Sequence, residues 1–179
     1  RYIILVKYLV KFFVVTFLLL VCTHASSEQK IVYLDMKFVL NNSKAGKGAQ
    51  DYLQKSLIKN QKRFLDTENQ LKKQESDLLV QKNVLSKEEY KVKTEELRNK
   101  VLTYQKDRKT TLGKIAKQRT DAREKLIKEI DPILNTYIKE NDISLVVVKK
   151  SIIGGSSDLD ITNIIVKKLN KKLPSLSIK

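Results

Sequence analysis

Few side chains in this sequence could do bond-making chemistry, and their positions restrict it further. Cys22 and His24 are the only cysteine and the only histidine among 179 residues. Both fall in an N-terminal stretch laid out like a secretory leader: Arg1, Lys7 and Lys11, then the apolar run Phe12 to Cys22, then Thr23-His24-Ala25 with a cleavage point after Ala25. Cleavage there leaves a chain with no thiol and no imidazole, which excludes a Cys nucleophile, a His general base, a Cys/His metal site and a disulfide. Ala45-Gly46-Lys47-Gly48 has the composition of a phosphate loop but not its spacing, since the four-residue gap between glycines and the Ser or Thr after Lys are both missing. Asn41-Asn42-Ser43 fits a glycosylation sequon, which carries meaning only where the cell glycosylates. Nothing about the remaining carboxylates points to catalysis. The expectation is a non-enzymatic protein with no cofactor and no metal.

The apolar run of the leader is about eleven residues, against roughly twenty needed to span a bilayer, so residues 1–25 read as a cleaved signal peptide rather than an anchor. Because the sequence opens on Arg1, the leader is expected to begin slightly upstream. Leu19-Leu20-Val21-Cys22 has the outline of a lipidation signal, but Val21 is bulky where a small residue is wanted. An exported chain without disulfides must rely on packing or oligomerisation.

Charge is the other chemical signal. The chain carries 36 Lys and Arg against 20 Asp and Glu, and removal of the leader takes only three of the cations, leaving a net charge of +13. Such an excess fits an anionic partner, whether nucleic acid, anionic lipid or acidic protein. Export argues against nucleic acid, as does the poor aromatic interleaving: seven Tyr, five Phe and no Trp, several of them in the leader. Lys72, Lys73, Lys82, Lys87, Lys91, Lys93, Arg98 and Lys100 form one basic group; Lys106, Arg108, Lys109, Lys114, Lys117, Arg119, Arg123 and Lys125 form a second, denser one. Pairs such as Glu68 with Lys72, Glu89 with Lys93 and Glu96 with Lys100 stand at helical spacing and would neutralise part of the first group.

These charges sit on elements that the sequence outlines clearly. Leu57, Phe64, Leu71, Leu78 and Leu85 recur every seven residues, the spacing a long helix needs to hold one narrow stripe against a partner. The beat stops at Ser86-Lys87-Glu88-Glu89, a capping box, with Leu85 and Tyr90 placed as a hydrophobic staple. Between Lys47 and Asp131 there are two glycines and no proline. Residues 36–83 and 87–141 therefore read as two long antiparallel helices joined at a tip near 82–86, the first about 70 Å long at 1.5 Å per residue. The second seam position of the first helix is polar on either register (Asn60, Thr67 and Gln74, or else Gln61, Glu68 and Glu75), so packing is expected to be thin toward the tip. It grows richer toward the base, where Leu112, Ile115, Ala122, Leu126, Ile130 and Ile133 gather. Pro132 predicts a kink or a helix restart, with Asp131 as its N-cap.

Strand signals flank this helical middle: Ile31, Val32, Tyr33 and Leu34 before it, and Ile143 to Val148, with Leu145, Val146, Val147 and Val148, after it. Far apart in sequence but close at the hairpin base, they can pair. Asn141-Asp142 suits a helix stop, and Gly154-Gly155-Ser156-Ser157 a loop. A last helix is expected from about Ile161 to Lys172, with Asp160 or Thr162 near its N-cap and an apolar face of Ile161, Ile164, Ile165, Leu169 and Leu173; the tail after Pro174 is expected to be disordered. The fold class is α+β, mostly α: a long helical hairpin, residues 51–129, projecting from a small base built of 26–50 and 130–179. So small a base invites strand pairing between subunits.

Lys30-Ile-Val-Tyr-Leu-Asp-Met36 running on to Val39-Leu40-Asn41, Lys44-Ala45-Gly46-Lys47, Ala49-Gln50 with Leu53, and Ile143-Ser-Leu-Val-Val-Val148 followed by Asp158-Leu-Asp160-Ile161-Thr162 resemble the Skp (OmpH-like) family of periplasmic chaperones. The resemblance implies a homotrimer whose strands form a small barrel-like body, with three hairpins enclosing a cavity in which unfolded outer-membrane β-barrel proteins are held without nucleotide. It makes the first basic group and its seam, Leu71, Lys72, Lys73, Leu78, Lys82, Leu85, Lys87, Tyr90, Lys91, Leu97, Arg98 and Lys100, candidates for client contact. An anionic lipid or lipopolysaccharide surface is a further candidate partner. The competing reading is a membrane-anchored coiled-coil stalk of the cell envelope, against which the flanking strands speak.

Overall fold

The computed structural model describes residues 2–21 and 29–178. Cys22, His24 and the expected cleavage point after Ala25 lie outside the described residues. The elements in order are α1 (Tyr2–Val21), β1 (Lys30–Leu34), α2 (Met36–Asn42), α3 (Lys44–Gln81), α4 (Lys87–Glu140), β2 (Ile143–Val148) and α5 (Thr162–Lys172), with short 3-10 turns at Lys149–Ser151 and Ser157–Leu159. Among the described residues no helix is long and apolar enough to cross a membrane. In α1, Lys7 and Lys11 leave only ten residues uninterrupted, about 15 Å of helix against a hydrocarbon core of about 30 Å.

The hairpin is formed by α3 and α4. Contacts across it run antiparallel: Arg63 to Asp107, Phe64 to Tyr104, Lys100 to Gln74 and Lys93 to Gln81. At the tip the Ser86 hydroxyl accepts from the Glu89 amide at 3.3 Å while Glu89 Oε2 accepts from the Ser86 amide at 3.1 Å, completing the capping box. Hydrogen bonds from the Ser86 side chain and backbone hold the Glu89 carboxyl below its ordinary pKa.

The expected first helix is two helices. Asp35 caps α2 by accepting from the Phe38 amide, and Ser43, fully buried with extended backbone, caps α3 by accepting from the Gly46 amide at 3.2 Å. Each is a short polar residue able to satisfy the orphan amides of a helix start. Gly46 makes the break possible: a side chain there would collide with the Leu40 carbonyl oxygen and lie 2.9 Å from Ser43 Oγ. The Ala45-Gly46-Lys47-Gly48 segment is thus a close-packed helix start, not a loop.

The expected restart at Pro132 does not occur, because α4 runs through it from Lys87 to Glu140. Pro132 has no amide to offer the Lys128 carbonyl, a loss of about 3 kcal/mol in a helix interior. Both residues face solvent, where water can take that carbonyl, and Ile130 and Ile133 on either side are buried. The helix ends at Asn141, with Asp142 in the left-handed region at φ 51°.

β1 and β2 pair in parallel, Val32 opposite Val146 and Tyr33 opposite Val147, with a register shift between Lys30 and Ile31. The shift places Ser144 as an extra residue, so Ile143 and Val146 both reach the core while Leu145 points away beside Ile31. Asp160 adds a bridge on the other side of Tyr33. One core holds the base together: Val32, Leu34, Val39, Leu40, Ala45, Leu126, Ile130, Ile133, Ile143, Ile161, Ile165 and Leu169. Of the expected α5 face, Ile164 instead lies exposed; the N-cap is Ile161, directly between Asp160 and Thr162. Thr162 Oγ1 accepts from the Asp35 amide and Asp160 Oδ1 accepts from the Thr162 amide. The tail after Pro174 has no regular structure, yet Leu176 packs back on the core.

Burial thins along the hairpin. Ala49, Leu53 and Phe64 are the buried apolar side chains of α3 beyond its first turn, and Ile115 is the buried one of α4 nearest the tip. Phe64 is the outermost of them. It meets Tyr104 edge to face at 6.2 Å and lies under the Arg63 guanidinium, which also pairs with Asp107 at 2.8 Å. Tyr104 in turn donates to Glu68.

Three predictions test this account. Gly46→Ala should destabilise the chain by roughly 2–3 kcal/mol through backbone overpacking, whereas Gly48→Ala, where a side chain meets nothing within 4 Å, should stabilise it by about 0.5–1 kcal/mol. Chemical denaturation of the two variants measures both signs. Phe64→Ala should speed amide exchange over residues 67–104 at least tenfold while leaving β1, β2 and α5 protected, because the outermost buried contact of the hairpin is gone. Finally, burial alone raises the Asp160 pKa, but hydrogen bonds from Lys149 and from Thr162, with the Lys149 charge, outweigh it and hold the carboxyl below 3.8. Its contribution is present above the unfolded value and lost as pH falls through the native one. Lys149→Met should therefore flatten the acid limb of the melting-temperature profile below pH 4.

Candidate functional site

Among the described residues no group of His, Cys, Asp and Glu could hold a metal ion. The surface to consider is the hairpin and the open side of the sheet. In the sheet, Val32 and Leu34 face the core, Val146 and Val147 are half-buried, and Ile31, Leu145 and Val148 stand 45%, 53% and 47% exposed; Tyr33 is half-buried and donates to the Ser156 carbonyl. The uniform apolarity of both strands predicts burial on both faces; within one chain only one face is covered.

On the hairpin the candidate residues divide by position. Leu71, Leu78, Leu85, Tyr90 and Leu97 are half-buried in the seam between α3 and α4, so heptad spacing locates the residues that hold the helices together. Lys72, Lys73, Lys82, Lys87, Lys91, Arg98 and Lys100 are exposed. Lys72 pairs with Glu68 at 2.9 Å, and Lys100 donates to Gln74 Oε1 at 3.1 Å. The hydrogen bond and charge of Lys72 lower the Glu68 pKa, and the same bond raises that of Lys72. The expected pairs Glu89–Lys93 and Glu96–Lys100 are not formed: Lys93 reaches across to Gln81 and Lys100 to Gln74, bracing α4 against α3 instead.

A groove of about 610 Å³ lies along the middle of the hairpin, lined by the half-buried Leu71, Leu97 and Val101, the exposed Leu102, and the charged Lys72, Arg98, Arg108, Glu68 and Glu75. The most exposed apolar side chains of α3, α4 and the tip are ones the periodicity does not single out: Ile58, Leu65, Leu79, Val80, Val84, Val92 and Leu102, at 55%, 57%, 61%, 77%, 84%, 53% and 53%. They fall off the seven-residue beat, and that mismatch is itself a signal, since an apolar residue outside the stripe of a two-helix pair has nothing to pack on. The arrangement offers apolar patches and cations side by side on a long arm, with no reactive group among them.

The comparisons with known proteins agree with this architecture. A crystal structure of a proposed outer membrane chaperone (OmpH-like) from Caulobacter crescentus CB15 matches with a TM-score of 0.78 over 88% of this chain and 93% of that one. At 13% identity, the likeness is one of fold. No curated protein matches the chain. The family model described as outer membrane protein (OmpH-like) matches residues 30–169, from the first residue of β1 to the last buried leucine of α5. The chain belongs to the OmpH-like family.

Proposed function

We propose that this protein is a holding chaperone of the periplasm, exported by a cleaved leader at residues 1–25, that binds unfolded outer-membrane β-barrel proteins and keeps them from aggregating without nucleotide. The observation that carries the reading is the hairpin of an OmpH-like chain whose outer part buries almost nothing and presents Leu79, Val80, Val84 and Val92 to solvent. An apolar surface of that kind on a stable protein marks a place of contact. Each side chain adds little, so holding depends on many simultaneous weak contacts, and release comes when the client reaches a more stable folded state.

The working form in this proposal is a homotrimer with residues 26–50 and 130–179 as its body and 51–129 as the arm. Ile31, Val32, Tyr33, Leu34, Leu145, Val146, Val147 and Val148 build the subunit contacts. The exposed face of Ile31 and Leu145 supports this, since two-stranded parallel sheets are normally covered on both sides. Client contact falls to the arm: the exposed Lys73, Lys82, Lys87, Lys91 and Arg98, with Lys72 and Lys100 where they are not holding the hairpin, and the seam residues Leu71, Leu78, Leu85, Tyr90 and Leu97 where the outer helices part.

Replacing residues 60–110 by a short turn should leave an oligomer of unchanged subunit number by light scattering that no longer suppresses aggregation of a urea-diluted outer-membrane β-barrel protein. Full suppression by the shortened chain would remove the arm from the proposal; an elongated, monomeric or dimeric parent chain indifferent to the client would return the protein to a structural coiled coil.

A further inference from the structure

The clasp at Phe64 and Tyr104 divides the hairpin into halves of very different charge. Toward the base, residues 44–66 and 105–128 carry fifteen Lys and Arg against five Asp and Glu, an excess of ten. Toward the tip, residues 67–104 carry eight against seven. All fifteen inner cations are exposed, and two of them are ion-paired, Arg63 with Asp107 and Lys117 with Asp121. The field of the arm therefore belongs to its inner half. At a Debye length of about 8 Å in physiological salt, the eight outer cations, offset by seven carboxylates on the same stretch, add little to it.

The cations are also spread in a way that selects a partner. At 100° per residue, Lys114, Lys117, Lys125 and Lys128 fall on one flank of the buried stripe Ile115–Ala122–Leu126 and Lys109, Arg119 and Arg123 on the other, with Lys106 on the far side of the helix and Arg108 in line with the stripe. A flat membrane can touch one flank of a helix at a time. A flexible chain can reach both, over about 36 Å of α4. Single-stranded nucleic acid would also wrap, but it needs aromatic stacking platforms, and of the aromatic side chains on these segments only Tyr52 is exposed. We infer that the inner half of the hairpin is the docking surface for acidic stretches of unfolded polypeptide, drawn in electrostatically, while the nearly neutral outer half, with its exposed Leu79, Val80, Val84 and Val92, grips uncharged segments. This rests on the holding function proposed above and adds to it a division of the arm by client chemistry.

The test uses the full chain and two variants that each remove four exposed lysine or arginine charges: Lys106, Lys109, Lys114 and Arg119 to Gln, and Lys73, Lys82, Lys87 and Lys91 to Gln. Binding of fluorescent poly-glutamate is measured at 0.15 M salt, with helix content checked by circular dichroism. The inner variant should lose about tenfold in affinity and show a weaker salt dependence, the outer one less than about threefold. Equal losses, or none, overturn the assignment. So does tighter, inner-lysine-dependent binding to anionic phosphatidylglycerol vesicles or to oligo-dT than to poly-glutamate. If the inner variant loses helix content, the parent chain still decides the matter: poly-glutamate binding that does not weaken between 0.05 and 0.3 M salt overturns it. The two readings separate with an unfolded β-barrel protein and a copy whose carboxylates are amidated. Equal protection of both copies sinks the inner-half proposal alone; no protection of either, with poly-glutamate still bound, sinks the holding function alone.

Discussion

Two helices packed only on each other can bury one stripe apiece, and everything else on them must face water or another molecule. In α3 and α4 this constraint governs both how the arm coheres and what it can present. A stripe with one good apolar residue per heptad and Asn60, Thr67 or Gln74 at the second position cannot hold 38- and 54-residue helices together by burial alone. The remainder is supplied by local helix stability, by the capping box at Ser86, and by cross-helix polar contacts such as Lys93 to Gln81 and Lys100 to Gln74. Each of these is exposed and individually weak. The pair coheres because its base is clamped and because Phe64, Tyr104, Arg63 and Asp107 make one dense contact partway along.

The clamp itself depends on a chain break that lets α2, α3, α4 and α5 share one small core. Ser43 turns the chain between α2 and α3, and Gly46 lets α3 start against the Leu40 carbonyl. α5 closes the arrangement through polar contacts as well as Ile165 and Leu169: Thr162 accepts from the Asp35 amide, and Asn170 Oδ1 accepts from the Lys44 amide at 2.7 Å. These bonds satisfy the starts of α2 and α3, whose free amides would otherwise be orphaned close to an apolar core.

How much of the molecule is legible in its sequence depends on how local each signal is. The seven-residue beat and the Ser86 box are contained within a few turns, and both helices and the tip can be placed from them. Ser43 escapes notice because its neighbours, Val39, Leu40, Ala45 and Ala49, continue an apolar pattern compatible with one helix; the cap shows only once its side chain is known to be buried. Pro132 misleads in the opposite direction. Its cost is local, whereas the packing of Ile130 and Ile133 that offsets it is tertiary. In the candidate site, periodicity finds the seam and so names the half-hidden leucines, while Leu79, Val80 and Val84 lie outside the repeat. The strands are visible in composition, but their parallel pairing and the shift at Lys30 depend on where α4 returns the chain.

Net charge is concentrated in the inner half of the hairpin, while exposed apolar side chains run along both halves, Tyr52, Ile58 and Leu65 on the inner and Leu79, Val80, Val84 and Val92 on the outer, and the charge gradient has a physical logic on the proposed function. Electrostatic attraction acts over about a Debye length and requires no fit, so it can work from the stiff, better-packed inner half. Apolar contact requires surfaces to touch and adapt. It falls to the part of the arm where α3 and α4 bury least and where local opening costs least. Had the cations been placed at the tip, the end of the arm where α3 and α4 bury least would be forced apart by like-charge repulsion, and the seam there has too little burial to oppose it.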